Sequence, residues 1–196
     1  MRVAWIWAVL MVLGASTGDT QTPAAEADQK SADFRVEIVG YISAEFHSRV
    51  SQYVELRRTL EEGLPPLQLT SDPADIWRGE VSLARRIRKA RGPKQGELFT
   101  PAVTQEFRRV LRLEMTGDVL RSIMGENPGE FSHHINGTYP KERPLATMPA
   151  NVLAVLPQLP ADVQYRFLGR TLILHDTRAN VILDRIPCAL ACSGRR

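Results

Sequence analysis

The residues best suited to chemistry are concentrated in one short run, Glu130-Phe131-Ser132-His133-His134. Imidazole and carboxylate side chains together suit zinc or another transition metal. Adjacent histidines on an extended segment point to opposite sides, so a metal site there would also need His47 or His175. The run predicts two alternatives: a metal-assisted hydrolase using Glu130 and the histidines near 133–134, or histidines with ordinary structural partners, which we favour.

No other motif points to catalysis. The sequence contains neither the G-x-S-x-G elbow of many hydrolases nor a glycine-rich phosphate loop. Ser132, His134 and Asp176 are the residue types of a hydrolytic triad, but a chain of this length always contains such residues. We therefore expect no catalytic residue and no cofactor, and we lean towards a protein that is not an enzyme.

The strongest run of charge lies on a predicted helix. Its members are Arg85, Arg86, Arg88, Lys89 and Arg91. Consecutive basic residues spread around a helix, so one interpretation is a solvated face whose aliphatic stems cover apolar neighbours. The other is a docking surface for an anionic lipid, a cell-wall polymer or an acidic protein.

Two cysteines, Cys188 and Cys192, lie near the end of the chain. Their C-x-x-x-C spacing is neither the redox C-x-x-C motif nor half of a complete zinc site. On a regular helix the spacing would strain a disulfide, so pairing requires an irregular backbone. A local disulfide in the tail and two free thiols remain alternatives.

The first 17 residues predict export. Arg2 is followed by the apolar run Val3 to Leu13 and then by small residues, the order typical of a secretory signal. A membrane-spanning helix needs about 20 apolar residues, so we expect no transmembrane span after signal removal. Residues 18–33 are polar and aperiodic, which predicts a disordered mature N-terminus and a periplasmic or secreted protein. Three cleavage points fit, after Ala15, Thr17 or Ala25.

The charge balance disfavours nucleic acid as a partner. The whole chain carries a formal net charge of +3. Residues 1–33 carry Arg2 and Lys30 against four acidic residues, so residues 34–196 carry +5. This excess is small for a nucleic-acid-binding protein. An envelope protein or an anionic envelope surface is the more natural partner.

The sequence upstream of residue 126 is helical in pattern, with apolar residues at three- and four-residue steps. Ser71 or Asp72 before Pro73, and Thr100 before Pro101, are typical of helix starts. The predicted helices cover residues 34–62, 73–91, 101–115 and 118–124.

Residues 163–186 predict a three-stranded antiparallel meander, because apolar and polar residues alternate there between two turn signals. A two-residue loop at Gly169-Arg170 places Phe167 opposite Leu172 and Tyr165 opposite Leu174. A second loop, residues 177–180, places Asp176 opposite Val181 and Leu174 opposite Leu183.

One face of the meander is predicted to pack on the helices, and the other is only half polar. On that second face, Ile173 and Ile182 require a cover, either the proline-rich loop of residues 126–161 or a partner. Arg166 and Asp184 are predicted to pair across Ile173 and to pin the register. The fold class is therefore α+β, with one domain over residues 34–187 and a short tail at 188–196.

The runs ENPGEF, INGTYP and PLATMPANVLAVLPQLPADVQYRFLGRTLILHDTRANVILDRIP resemble an uncharacterised family of exported bacterial proteins. The resemblance extends back over YVELRRTLEE, LTSDPADI and GELFTP, and so covers most of the chain after the signal. It implies N-terminal helices and a C-terminal β-segment, and it implies no activity. With no catalytic motif, we expect a non-enzymatic binding or structural module of the cell envelope.

Overall fold

A computed structural model describes residues 23–64, 72–92, 96–127, 129, 133–144 and 148–190, with side chains from residue 40 onward. The chain divides into two compact units, residues 1–37 and 38–196, and every contact given below lies within the second. The described part of the chain forms five helices followed by one antiparallel sheet, which confirms the predicted α+β class. The helices are α1 Pro23–Glu62, α2 Pro73–Arg91, α3 Pro101–Glu114, α4 Gly117–Gly125 and α5 Ala150–Val155, and the strands are β1 Val163–Leu168, β2 Thr171–Asp176 and β3 Val181–Ile186.

Local signals account for where the helices begin. Helix α1 starts at Pro23 rather than near residue 34. The added segment lacks an apolar stripe but is rich in alanine, which has the highest intrinsic helix propensity, and proline suits the first helical position. The cap of α2 is Asp72, whose side chain accepts a hydrogen bond from the Ala74 N–H at 2.9 Å. Helices α2 to α4 begin and end within one residue of their predicted bounds.

The sheet has the order β1-β2-β3, and its first register is the predicted one. Phe167 pairs with Leu172 and Tyr165 with Leu174. In the second register Asp176 pairs with Val181 as predicted, but Leu174 pairs with Asp184 rather than with Leu183. A β-bulge causes the difference, because two residues of β3 oppose one of β2 at this point.

The main core lies between the helices and one face of the sheet. An aromatic group at its centre joins α1, α3 and β1, with ring centroids 5.1 Å apart for Phe46 and Phe107 and 6.0 Å apart for Phe107 and Tyr165. Such edge-to-face pairs add about 0.5–1.5 kcal/mol beyond the burial of their area. The predicted core face is thereby confirmed, since Phe167, Leu172 and Leu174 belong to this core as well.

The second face of the sheet is covered by the chain itself. Tyr139 packs there with Leu168, Ile173 and Ile182 in a separate buried cluster. The covering segment pairs with β3, because the Asn136 N–H donates to the Ile182 carbonyl at 2.8 Å and Ile182 donates back to Gly137 at 2.9 Å. Of the two predicted covers, the structure shows the proline-rich loop. No described helix is both long and apolar enough to cross a membrane.

Candidate functional site

The four histidines lie in three parts of the fold. His47 is exposed on α1, His133 and His134 lie in the loop before Asn136, and His175 is buried in β2. Glu130, the carboxylate of the predicted metal site, lies outside the described residues. Within the part of the chain that the structure describes, no group of three or more His, Cys, Asp or Glu side chains is arranged to hold a metal ion.

His175 takes part in a buried hydrogen-bond chain. Its Nε2 lies 2.9 Å from Oδ1 of Asn180, whose Nδ2 donates to the Tyr139 carbonyl at 2.9 Å. Because this amide already uses its nitrogen as the donor, its oxygen accepts from Nε2–H of a neutral imidazole. Burial lowers the pKa of His175, and its buried Nδ1 has no hydrogen-bond partner among the described residues. The geometry fits a structural histidine under the covering loop.

Asp176 is a fully buried carboxylate at the end of β2. Its Oδ1 accepts from the N–H groups of Arg178 and Ala179, both at 2.9 Å, which closes the β2–β3 turn. Its Oδ2 accepts from the Tyr53 hydroxyl at 2.5 Å and from Arg57 at 3.3 Å. Burial, with the Asp176 charge beside it, raises the pKa of Tyr53 far above its usual range, so the phenol stays a donor. This contact set holds α1 on the sheet.

Asp184, the second fully buried carboxylate, binds backbone rather than Arg166. It accepts from the N–H groups of Leu98 and Phe99 at 2.9 Å, and from those of Gly96 and Arg185. The predicted Arg166–Asp184 pairing is therefore wrong. The bulge in β3 turns Asp184 towards the loop before α3, where three N–H groups of the loop, together with that of Arg185 in β3, fill the acceptor sites of its carboxylate.

Three of the five predicted docking residues bind the chain's own groups. Arg91 is buried, and it donates to the Leu183 carbonyl at 3.0 Å and to Glu97 at 2.9 Å. Arg88 donates to the Asn136 carbonyl at 2.7 Å, which ties α2 to the covering loop. Arg86 donates to the Gly63 carbonyl at 2.6 Å, at the end of α1.

Arg85 and Lys89 are the docking residues that stay exposed. Trp77 lies on the same helix and exposes 54% of its surface. Its neighbour Ile76 exposes 51%. The first turns of α2 thus present apolar surface to solvent, followed along the helix by two exposed cations.

The cysteine prediction falls partly outside the described chain. Cys188 is disulfide-bonded. Cys192, the other cysteine of the sequence, lies outside the described residues. The backbone at Cys188 is irregular, with φ at 51°, in a turn that follows β3.

Sequence reasoning named Asp176 and Asp184 but missed that both are buried acceptors for backbone N–H groups. Asp176 carried a signal, because an aspartate that opens a turn commonly accepts from N–H groups two or three residues later. Asp184 carried none, since its partners Leu98 and Phe99 lie 86 and 85 residues away along the chain.

Known proteins supply no further guide to the site. No family model matches this chain, and no curated protein or solved structure matches it significantly. What the protein does must therefore be inferred from its own side chains.

Proposed function

We propose that the protein is an exported, non-enzymatic binding module of the cell envelope, and that α2 docks it on an anionic lipid surface. The observation that carries the proposal is the α2 docking face, defined here as Trp77, Val81, Arg85 and Lys89. The predicted signal of residues 1–17 supports the proposal, because export would deliver the chain to such a surface.

The members of the α2 docking face lie four positions apart on one helix. Since an α-helix has 3.6 residues per turn, side chains four positions apart differ in direction by about 40° around the helix axis. The four side chains together therefore span about 120° of the helix circumference. Arg85 and Lys89 form no ion pair with any described residue. Their charges are therefore available to a flat anionic partner.

The chemistry of the α2 docking face favours lipid. Tryptophan prefers the headgroup level of a bilayer, where its ring is partly desolvated and its N–H remains hydrated. Each Lys or Arg near an anionic surface contributes about 1 kcal/mol, an attraction that salt screens within a Debye length. One aromatic ring and two cations produce peripheral binding that salt reverses.

The proposal is tested by sedimentation of the exported protein with vesicles of phosphatidylglycerol and phosphatidylcholine in equal parts. We expect binding at low ionic strength, release by added salt, and no binding to pure phosphatidylcholine. The variant Arg85→Gln/Lys89→Gln should weaken binding about thirtyfold, since two cations contribute about 2 kcal/mol together.

A matched variant separates the α2 docking face from net charge. Arg58→Gln/Arg121→Gln removes the same charge from α1 and α4, where both side chains are exposed. It should bind vesicles nearly as the wild type does. Equal losses in the two double variants, or no binding by the wild type, would show that α2 is not a lipid-docking surface.

Export is tested separately, by fractionating cells that express the chain with its own N-terminus. We expect a shortened protein outside the cytoplasm, with a mass that identifies cleavage after Ala15, Thr17 or Ala25. Deletion of residues 3–13 should retain the protein inside. A full-length chain found only in the cytoplasm would contradict the proposed location in the cell envelope.

A further inference from the structure

A cavity of about 750 Å³ lies between the start of α3 and the end of β3, away from the residues of the α2 docking face. Three of its lining side chains are arginines, Arg108 and Arg112 from α3 and Arg185 from β3. None of the lining residues within the described ranges is Asp or Glu. The cavity is therefore a concentrated site of positive charge.

Two contacts bring these arginines to one place. Asp184 binds the N–H groups of Leu98 and Phe99, and so holds the loop that leads into α3 against β3. Arg108 donates to the Pro187 carbonyl at 2.7 Å and fastens α3 to the end of β3. The cluster thus belongs to the packed fold rather than to a loose loop.

The part of the chain that the structure describes supplies no anionic partner to these guanidinium groups. None of the three forms an ion pair with a described residue. Arg108 and Arg112 are like charges at i and i+4, a spacing that destabilises a helix. The Nε of Arg185 is buried and has no hydrogen-bond partner within the described ranges, although its Nη1 donates to the His133 carbonyl at 2.9 Å. A bound anion would offset the repulsion between Arg108 and Arg112 and would accept a hydrogen bond from Arg185.

The remaining lining indicates which anion fits. Thr104 and Gln105 belong to the first turns of α3, where the helix dipole adds partial positive charge. A carboxylate has two oxygens, which a single arginine fork can fill. A phosphate monoester carries nearly two charges and three terminal oxygens, and so matches several arginines. Phe99 and Pro187 supply apolar walls for an attached organic group.

We propose that this cavity is a binding site for a terminal phosphate group, either inorganic phosphate or a phosphate monoester, with Arg108, Arg112 and Arg185 directed at its oxygens. The site is independent of lipid docking by α2. The phosphate could be inorganic, carried by a small soluble molecule, or exposed on a lipid headgroup, and all three present the same terminal oxygens.

The test is calorimetric titration of the full exported protein in a phosphate-free buffer with inorganic phosphate and with glycerol 3-phosphate. Vesicles containing phosphatidic acid form a third arm, followed by sedimentation. We expect saturable binding in at least one arm, and the arm with the tightest binding identifies the source. Arg108→Gln and Arg112→Gln should each lower the affinity about tenfold or more, because each removes charge-assisted hydrogen bonds.

Both substituted side chains are exposed, so the variants should keep the wild-type circular dichroism. Arg112→Gln should also keep the wild-type melting temperature, whereas Arg108→Gln loses the hydrogen bond to the Pro187 carbonyl and should melt slightly lower. The variant Arg85→Gln/Lys89→Gln should bind phosphate as the wild type does, which keeps this site distinct from the α2 docking face. Absence of binding in all three arms would overturn the proposal. So would an unchanged affinity in a folded Arg108→Gln/Arg112→Gln variant.

Discussion

The hydroxyl of Tyr53 donates a 2.5 Å hydrogen bond to Oδ2 of Asp176, across 123 positions of the sequence. Tyr53 lies on α1, and Asp176 ends β2. The guanidinium of Arg91, from α2, lies 5.3 Å from the centroid of the Tyr53 ring. One phenol therefore links two helices to the turn between β2 and β3, where the Asp176 carboxylate also orders the backbone.

Tyr53→Phe should lower the free energy of unfolding by about 1.5–3 kcal/mol, the range for a hydrogen bond to a charged group. The phenylalanine ring still fills the same space in the core, so the decrease in the free energy of unfolding measures the contribution of the hydroxyl. Urea denaturation followed by fluorescence measures the change. Tyr41→Phe is the matched control, because Tyr41 exposes 72% of its surface and should leave stability unchanged. Similar losses in both variants would show that the link to Asp176 does not stabilise the fold.

Asp184→Ala should cost about 3 kcal/mol or more, because four backbone N–H groups lose their acceptor, and each buried unsatisfied group costs about 1–3 kcal/mol. Asp184→Asn keeps one acceptor oxygen and should lose less. Hydrogen exchange at Leu98 and Phe99 localises the effect, and protection there should fall in both variants. Unchanged protection at these amides in a folded variant would contradict this role for Asp184.

His175 should make the folded state less stable in acid. Burial lowers its pKa, an effect that Arg166 reinforces and that Asn180, Asp176 and Glu80 oppose. Below the ordinary histidine pKa of about 6.5, the unfolded chain takes up a proton that the folded chain resists. The free energy of unfolding therefore declines as pH falls from about 6.5 towards the lowered folded pKa.

The measurement for His175 is urea denaturation at about pH 7 and about pH 5, one above and one below the ordinary histidine pKa of about 6.5. The wild type should lose more stability between the two than His175→Gln, whose amide can still donate to Asn180 but does not titrate. His134→Gln changes an exposed histidine and should behave as the wild type does. Identical pH dependence in His175→Gln and the wild type would mean that His175 contributes no acid sensitivity.

Two substitutions on α2 should distinguish a residue that contributes to lipid docking from one that contributes to stability. Trp77→Ala should change stability by about 0.5 kcal/mol or less, as surface substitutions do, yet weaken binding to anionic vesicles. Ile87→Ala removes a fully buried side chain and should cost about 2–5 kcal/mol. Thermal melting and vesicle sedimentation distinguish the two. A large loss of stability in Trp77→Ala would show that Trp77 is a packing residue rather than a docking one.

The helices illustrate what local chemistry specifies. Pro73 and Pro101 each follow a capping side chain, and the helices begin at these prolines as predicted. The register of the first hairpin is also specified locally, because a two-residue loop at Gly169-Arg170 permits only one pairing of β1 with β2. In each case the deciding interactions lie within a few residues, so the sequence contains them in readable form.

The second hairpin and the basic run on α2 illustrate what local sequence does not specify. The β3 bulge places Asp184 where Gly96, Leu98 and Phe99 need an acceptor, a requirement set by chain segments far apart in sequence. Arg85 and Arg91 are the same residue type six positions apart, yet Arg85 is exposed and Arg91 buried. Composition cannot distinguish them, because the difference depends on which side of α2 meets β3.

The sequence by itself determined the α+β class, the starts of α2 and α3, the first register of the sheet and the need for a cover over Ile173 and Ile182. These features depend on periodicity, caps and turns, which act over one or two turns of backbone. The tertiary structure alone decided that Asp176 and Asp184 are buried acceptors, that Arg85 and Lys89 stay exposed, and that Arg108, Arg112 and Arg185 meet in one cavity. Such outcomes depend on desolvation and on contacts between distant segments, which exist only once the chain has packed.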